Sequence, residues 1–327
     1  MIPLIKNIFR LFPAKQNDVD VWVTSTNLSG LLAAYAAVQN DLSAVLSGQQ
    51  PVAQQLAGFD SLAPEGRLLL AHLLTEQQIQ SVAVGHFDGI YRNGVYSEFD
   101  SVLGQGLQID TDKLKQLLWQ LLKASDVMLL EVPVTSVDHT EAGIHFKTAD
   151  ERVFNARWCL DCAGAKSQLT TAPLITTGPP LLIKREVSDR PYCLDKNKVE
   201  FNRTSSGWVW LAYDTNGVVT TTEYSPDFPG TEPETHFYNA QWYHREHYVD
   251  ERVILLSPCA FRFDPASGMG MTVQIKAALL AARSLFNIIH DGADASILET
   301  AYEPEMQVFY RDIRDHLRRF YTDLGIL

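Results

Sequence analysis

The order of apolar and polar positions predicts strands and helices in alternation at both ends of the chain and a strand-rich stretch in between. Residues 18–24 alternate and carry β-branched side chains, the mark of a half-buried strand. They lead through 25–30 into 31–38, a block of strong helix formers, so a strand, a tight turn and a helix follow one another. Residues 42–46 form a second strand. From 51 to 80 the pattern is helical, and 82–99 reads as short strands with turns at Asp88-Gly89 and Asn93-Gly94. Asp110 is placed to cap a helix reaching about residue 124. Strands are predicted over 127–130, 134–137, 143–148 and 153–160, followed by a β-rich block over 180–224 and a buried-type strand at 252–256. A Gly-rich turn then opens a long helix of small residues, 270–290, and an amphipathic helix starts near 303.

That order predicts an α/β protein. A Rossmann-like domain is expected from 18–80, 100–170 and 250–327, with an inserted, mainly antiparallel β-sheet domain from 81–99 and 171–249. An arm over 1–17 precedes both. Sites in such folds sit in the crevice at the strand ends, between the domains. The length of 327 residues agrees, at about 150 residues per domain.

Composition narrows the function classes. With 27 basic and 39 acidic side chains the net charge is −12, which argues against a nucleic-acid partner held through its phosphates. No run of 18 or more apolar residues is present, so no transmembrane segment is expected. The first dozen residues are apolar but broken by Lys6 and Arg10, with no small-residue cleavage site after them. They read as an amphipathic arm packing on the body or on a partner, not as a secretion signal. Four cysteines are too few for a disulfide framework, so a reduced, cytoplasmic protein is expected.

Four local patterns, in order along the chain, carry a resemblance. The strand–turn–helix over 19–38 ends its turn at Gly30. Cys159-Leu-Asp-Cys-Ala-Gly-Ala-Lys-Ser167 is similar to a D-x-x-G-x-x-S segment, and includes Gly164. Asp264-Pro-Ala-Ser-Gly-Met-Gly270 is similar to D-P-x-x-G-x-G at the mouth of a small-residue helix. Gly207-Trp-Val-Trp210 is similar to the first half of G-W-x-W-x-I-P. The chain therefore resembles the superfamily of FAD-dependent aromatic monooxygenases and flavin-dependent tryptophan halogenases, with the fold of p-hydroxybenzoate hydroxylase. The resemblance implies an FAD-binding-type Rossmann domain with a substrate domain inserted. It also implies cofactor-binding positions at Gly30, Gly164, Asp264, Pro265, Gly268, Met269, Gly270 and Met271. Trp208 and Trp210, two apart on a strand, point to one side and read equally as a wall of a substrate pocket or as core aromatics.

The same comparison shows three departures. The G-x-G-x-x-G positions read Ser25, Asn27 and Gly30, so the two glycines that let the backbone approach a pyrophosphate are replaced. After the second strand, Ser47-Gly-Gln-Gln50 offers no carboxylate for a ribose. Pro258 stands where the family has a ribityl-binding Asp. Residues that keep the fold persist while residues that grip the ligand do not. FAD is therefore expected to be bound weakly or not at all, and the protein to be an accessory or maturation factor acting with a protein partner. The monooxygenase-like proteins that help build protein-derived tryptophylquinone cofactors are the pattern for this reading. The alternative is a working FAD-dependent monooxygenase that hydroxylates an aromatic small molecule or protein side chain, in which the cofactor carries the chemistry. Halogenation is set aside, because Ser267 occupies the halogenase Glu position and no matching Lys lies in 82–100. The sequence names no catalytic residue.

Two further groupings were weighed. His236, His244 and His247 lie in an aromatic stretch, and if helical would put His244 and His247 on one face. With no nearby Cys or carboxylate they read as ordinary histidines on a solvated helix, with an aromatic partner or substrate surface as the functional alternative, and no metal site is assigned. Cys159 and Cys162 have redox-like spacing but no second pair, and read as core.

Overall fold

A computed structural model describes residues 17–52, 59–178, 181–188, 199–205, 207–214, 218–225 and 236–327. Nearly all of the N-terminal arm, and the 53–58 stretch, lie outside these residues. The centre of the first layer is a parallel sheet in the order β20 (Val253–Leu255), β11 (Val153–Asp161), β1 (Asp18–Val23), β2 (Ala44–Ser47) and β8 (Met128–Leu130). The first half of β11 also pairs with a hairpin, β9 (Val134–Thr140) and β10 (Gly143–Thr148), and β19 (Val249–Asp250) adds an antiparallel edge.

Helix α1 (Leu28–Gln39) is apolar on every side, and its residues from Leu28 to Ala37 are all buried. A helix of that kind has to be enclosed. It lies between the sheet, α4 (Thr111–Lys123) and α5 (Gly270–Ile289). By length and composition α5 is apolar enough to cross a membrane, but it packs against α1 and α2 (Pro64–Leu70) as a core helix.

The second layer is a seven-stranded sheet in the order β17 (His236–Asn239), β13 (Leu182–Ser188), β16 (Val219–Tyr224), β15 (Trp208–Tyr213), β14 (Val199–Arg203), β5 (Gly89–Arg92) and β6 (Val95–Glu98). All its pairs are antiparallel except β14 with β5. The chain is thus a Rossmann-like α/β layer with a mainly antiparallel sheet inserted. Two three-stranded sheets join the layers: β3 (Phe59–Leu62), β7 (Gly106–Asp110) and β4 (Ala83–Phe87), and β12 (Leu174–Thr176), β18 (Tyr243–Arg245) and β21 (Phe261–Arg262). Helix α6 (Glu303–Asp323) closes the described chain, its Leu317 and Tyr321 buried against Trp208 and Trp242.

Two expectations are corrected. Within 51–80, β3 stands in place of continuous helix, followed by α2 and α3 (Glu76–Val82). β3 exists because it pairs with β7, nearly fifty residues on, and local periodicity does not register such a partner. His244 lies on a strand, not a helix. Its ring packs on Tyr310 at 4.7 Å, whereas His247 turns to Glu303 at 3.3 Å, so the two histidines serve different neighbours. The side chain of His236 lies outside the described residues.

Close approach of α1 to the β1 turn rests on Gly30. A Cβ there would lie 1.7 Å from the Ser25 carbonyl oxygen, far inside any real contact, and backbone cannot swing aside as a side chain can. Gly30→Ala is expected to lower unfolding stability by at least about 2 kcal/mol in chemical denaturation.

Candidate functional site

Where the two layers meet, a cavity of about 320 Å³ opens beside the start of α5. Its aromatic wall is Phe59 from β3, Trp210 from β15 and Phe263. Its polar wall is Asp60, Ser61, Arg185, Thr220, Thr222 and Gln274. The floor is the turn from Asp264 to Gly270. Antiparallel register explains the aromatic side: Trp210 faces Thr222 and Ala212 faces Thr220 across β15 and β16, so all four share one face.

The floor is built by Asp264. Its Oδ1 accepts from the Ala266 N–H at 2.5 Å, capping the short 3-10 turn Pro265–Ser267. Its Oδ2 accepts from the Tyr321 hydroxyl at 2.6 Å and the Trp242 indole N–H at 3.1 Å. The carboxyl is 1% exposed, and burial pushes its pKa up to about 6 against the pull of those three donors. Tyr321 is raised too, first by burial and then by the carboxylate it faces. Asp264 therefore shapes the floor with its carboxylate turned inward. Gly268 ends the turn at φ +65°, a left-handed geometry suited to glycine, with the Trp210 ring 3.3 Å from where a Cβ would stand. At Gly270 nothing lies within 4 Å of that position, so the start of α5 is open. Met271 lines the cavity and Met269 precedes α5 with no side-chain cap.

Trp208 shares the face of Trp210 but is fully buried, its indole N–H donating to the Tyr321 hydroxyl at 2.6 Å. Of the two tryptophans expected to wall the pocket, Trp210 reaches the cavity and Trp208 is covered by α6. Asp60, Arg185 and Tyr321 were missed from the sequence. Arg185 sits two residues after buried Ile183 on an alternating strand, so a charge at an inward-facing position was the available signal. Its guanidinium bonds Asp60 Oδ1 at 3.0 Å and the Phe59 carbonyl at 2.7 Å, while Asp60 Oδ2 accepts from Thr111 at 2.8 Å.

The other helix start has the opposite character. Asn27 caps α1: its Oδ1 accepts from the Gly30 N–H at 3.0 Å, and its Nδ2 donates to the Cys162 carbonyl at 2.7 Å. The Asn27 N–H donates to Ser25 Oγ at 3.2 Å, and the Leu31 N–H to the Asn27 carbonyl. Next to it, Asp161 accepts from Thr24 Oγ1, the Ala163 N–H, Ser167 Oγ and Cys259 Sγ, which joins the ends of β1 and β11. Gly164 adopts φ +91° in that turn. Pro258 follows Ser257, whose carbonyl accepts from Ser29 Oγ on α1. A second cleft of about 260 Å³ lies at the ends of β1, β2 and β8, where Ser47 is bonded to the Trp22 indole and the lining carboxylate is Glu131, after β8. Cys159, Cys162 and Cys259 are free and buried, with thiols pushed up by burial, so they are packing groups. Among the described residues no group of three or more His, Cys, Asp or Glu is placed to hold a metal.

No protein-family model and no curated protein matches the chain. Solved structures do. PqsL of P. aeruginosa in complex with 2-aminobenzoylacetate superposes with a TM-score of 0.83 at 15% identity, over 94% of this chain and 97% of that one. The p-nitrophenol 4-monooxygenase PnpA of Pseudomonas putida DLL-E4 gives 0.71 at 15%, over 95% and 96%. The peptidyl tryptophan dihydroxylase QhpG, essential for tryptophylquinone cofactor biogenesis, gives 0.64 at 15%, over 94% and 74%. The fold is that of the FAD-dependent monooxygenases.

The Asn27 cap carries a prediction. Asn27→Ala removes an N-cap and a bond to the β11 turn, and is expected to lower stability by about 1 kcal/mol or somewhat more, read by urea denaturation.

Proposed function

We propose that the chain is a flavin-monooxygenase-fold protein with a degraded FAD site, acting as an accessory or maturation protein with a protein partner. One observation carries this reading: at the α1 start, where a dinucleotide's diphosphate would need free N–H groups, the chain's own Asn27 caps the helix and takes the Gly30 N–H. The Gly30 N–H is already committed, and Ser25 and Asn27 put side chains where the diphosphate would need bare backbone. The residues present do not fit the diphosphate. The ends of the parallel strands tell the same way, since the β2 end carries Ser47 tied to Trp22 in place of a ribose-binding carboxylate. The fold likeness to QhpG, whose name ties it to tryptophylquinone biogenesis, supports a maturation role on a protein side chain.

A separate observation favours a second reading, a working FAD-dependent monooxygenase acting on an aromatic substrate. The α5 start is open, and the adjoining cavity has aromatic walls at Phe59, Trp210 and Phe263. On that reading the residues 268–271 would hold the flavin ring, and the flavin would supply the oxidative chemistry.

Flavin binding separates the two. The purified protein is expected to be colourless, to release no flavin on denaturation, and to keep its melting temperature when FAD is added. A ligand held by the native state at a hundred times its Kd would add about 2.7 kcal/mol. A yellow protein that FAD stabilises by that amount would favour the second reading.

A further inference from the structure

Helix α6 packs under the cavity floor, where its Tyr321 hydroxyl donates to Asp264. We propose that Asp264 and Tyr321 form a latch: docking of the α6 terminus holds the 265–270 turn that floors the cavity, and its release frees that turn. The proposal rests on the second reading's use of this cavity as a binding site, and names its regulation.

The carboxylate is bound on every side by groups from different elements. Ala266 is on the turn, Trp242 precedes β18, and Tyr321 is on α6. Tyr321 is itself held by Trp208 of β15, and packs on Trp242 at 5.2 Å and Tyr224 at 6.0 Å. Three donors replace hydration, but no cation is paired with Asp264 among the described residues. Arg262, two residues before it, turns to the Gln241 carbonyl and the Tyr243 ring. Arg203 is taken by Asp323 of α6. The titratable groups facing Asp264 are Tyr321, whose pKa is raised, and, behind it, Tyr224. A buried carboxylate satisfied only by neutral donors is costly when ionised, and undocking α6 would return it to water.

The direction with pH follows from linkage. The docked carboxyl has its pKa raised to about 6, so the docked state holds its proton over a range where a hydrated carboxyl has lost it. Acid therefore favours the docked latch, and raising the pH through about 6 favours release. Tyr321 donates to the anion and restrains this. Replacing it by Phe raises the docked pKa further and loosens the latch at neutral pH.

The test is hydrogen exchange on the full chain without added flavin, corrected for intrinsic rates, from about one unit below the raised value to about two units above it. Amides of 266–271 and of 317–325 are expected to lose protection together as pH rises, and Tyr321→Phe to lower protection in both by about tenfold at pH 7. Leu118→Ala, a core change in α4, should lower global stability without singling out either segment. If 266–271 exchanges independently of pH and of Tyr321→Phe, or responds equally to Leu118→Ala, the latch is overturned. Should Tyr321→Phe fail to fold, the wild-type pH series decides by the same criterion. Because no flavin is added and any flavin carried by the protein reads out separately as colour, the outcome is distinguishable from whether the protein binds FAD.

Discussion

The arrangement depends first on how closely α1 lies against the turn that follows β1. At Gly30 the helix backbone comes so near Ser25 that no side chain fits between them. That approach seats an all-apolar helix against the parallel sheet and lets α5 pack on it from the other side. The start of α5 is fixed in turn, and with it the cavity between the layers. A bulkier residue at one position would move both helix starts.

Those two starts offer the same physics and use it differently. Each presents unpaired N–H groups and the positive end of a helix dipole. At α1 the chain consumes that potential itself: Asn27 takes the Gly30 N–H and ties the turn to Cys162, while Ser29 reaches Ser257. The result is a well-braced corner. At α5 no side chain caps the helix, and Gly270 faces open space. The side chain that could have competed, Asp264, is turned below the floor toward Trp242 and Tyr321. One start has become structural while the other faces the cavity.

Much of the fold was legible because local pattern and tertiary role agree. The 18–24 stretch, the helix formers after it and the small-residue helix near 270 each form the predicted element, although β1 is buried on both faces over Val21, Trp22 and Val23 where alternation suggests one. β3 was not legible, because it is held by β7 and its own four residues say little. The element carrying His244 stays open in the sequence for a similar reason, since it is a three-residue strand held by β12 and β21 on either side. At the site, the glycines and Asp264 could be found by resemblance and Trp210 by alternation. Tyr321 could not. The apolar face of α6 marks it as core, but no spacing reveals that its hydroxyl meets a carboxylate 57 residues away. The cover that α6 places over Trp208 was hidden for the same reason.

The charges around the cavity show what it can offer a ligand. Arg185 and Asp60 neutralise each other across β13 and β3, and Thr111 holds the second oxygen of Asp60. Breaking that pair to serve a ligand would strand a half-buried charge, so the pair acts as a fixed wall. Asp264 is committed below. What remains toward the cavity is aromatic surface from Phe59, Trp210 and Phe263, the Thr222 and Gln274 side chains, and the open start of α5. A flat, uncharged molecule with an acceptor atom directed at α5 meets each of these without displacing a bond the fold already uses. Its contact with the α5 start runs through the turn that Asp264 holds, so the side chain that shapes the floor also links the cavity to the far helix.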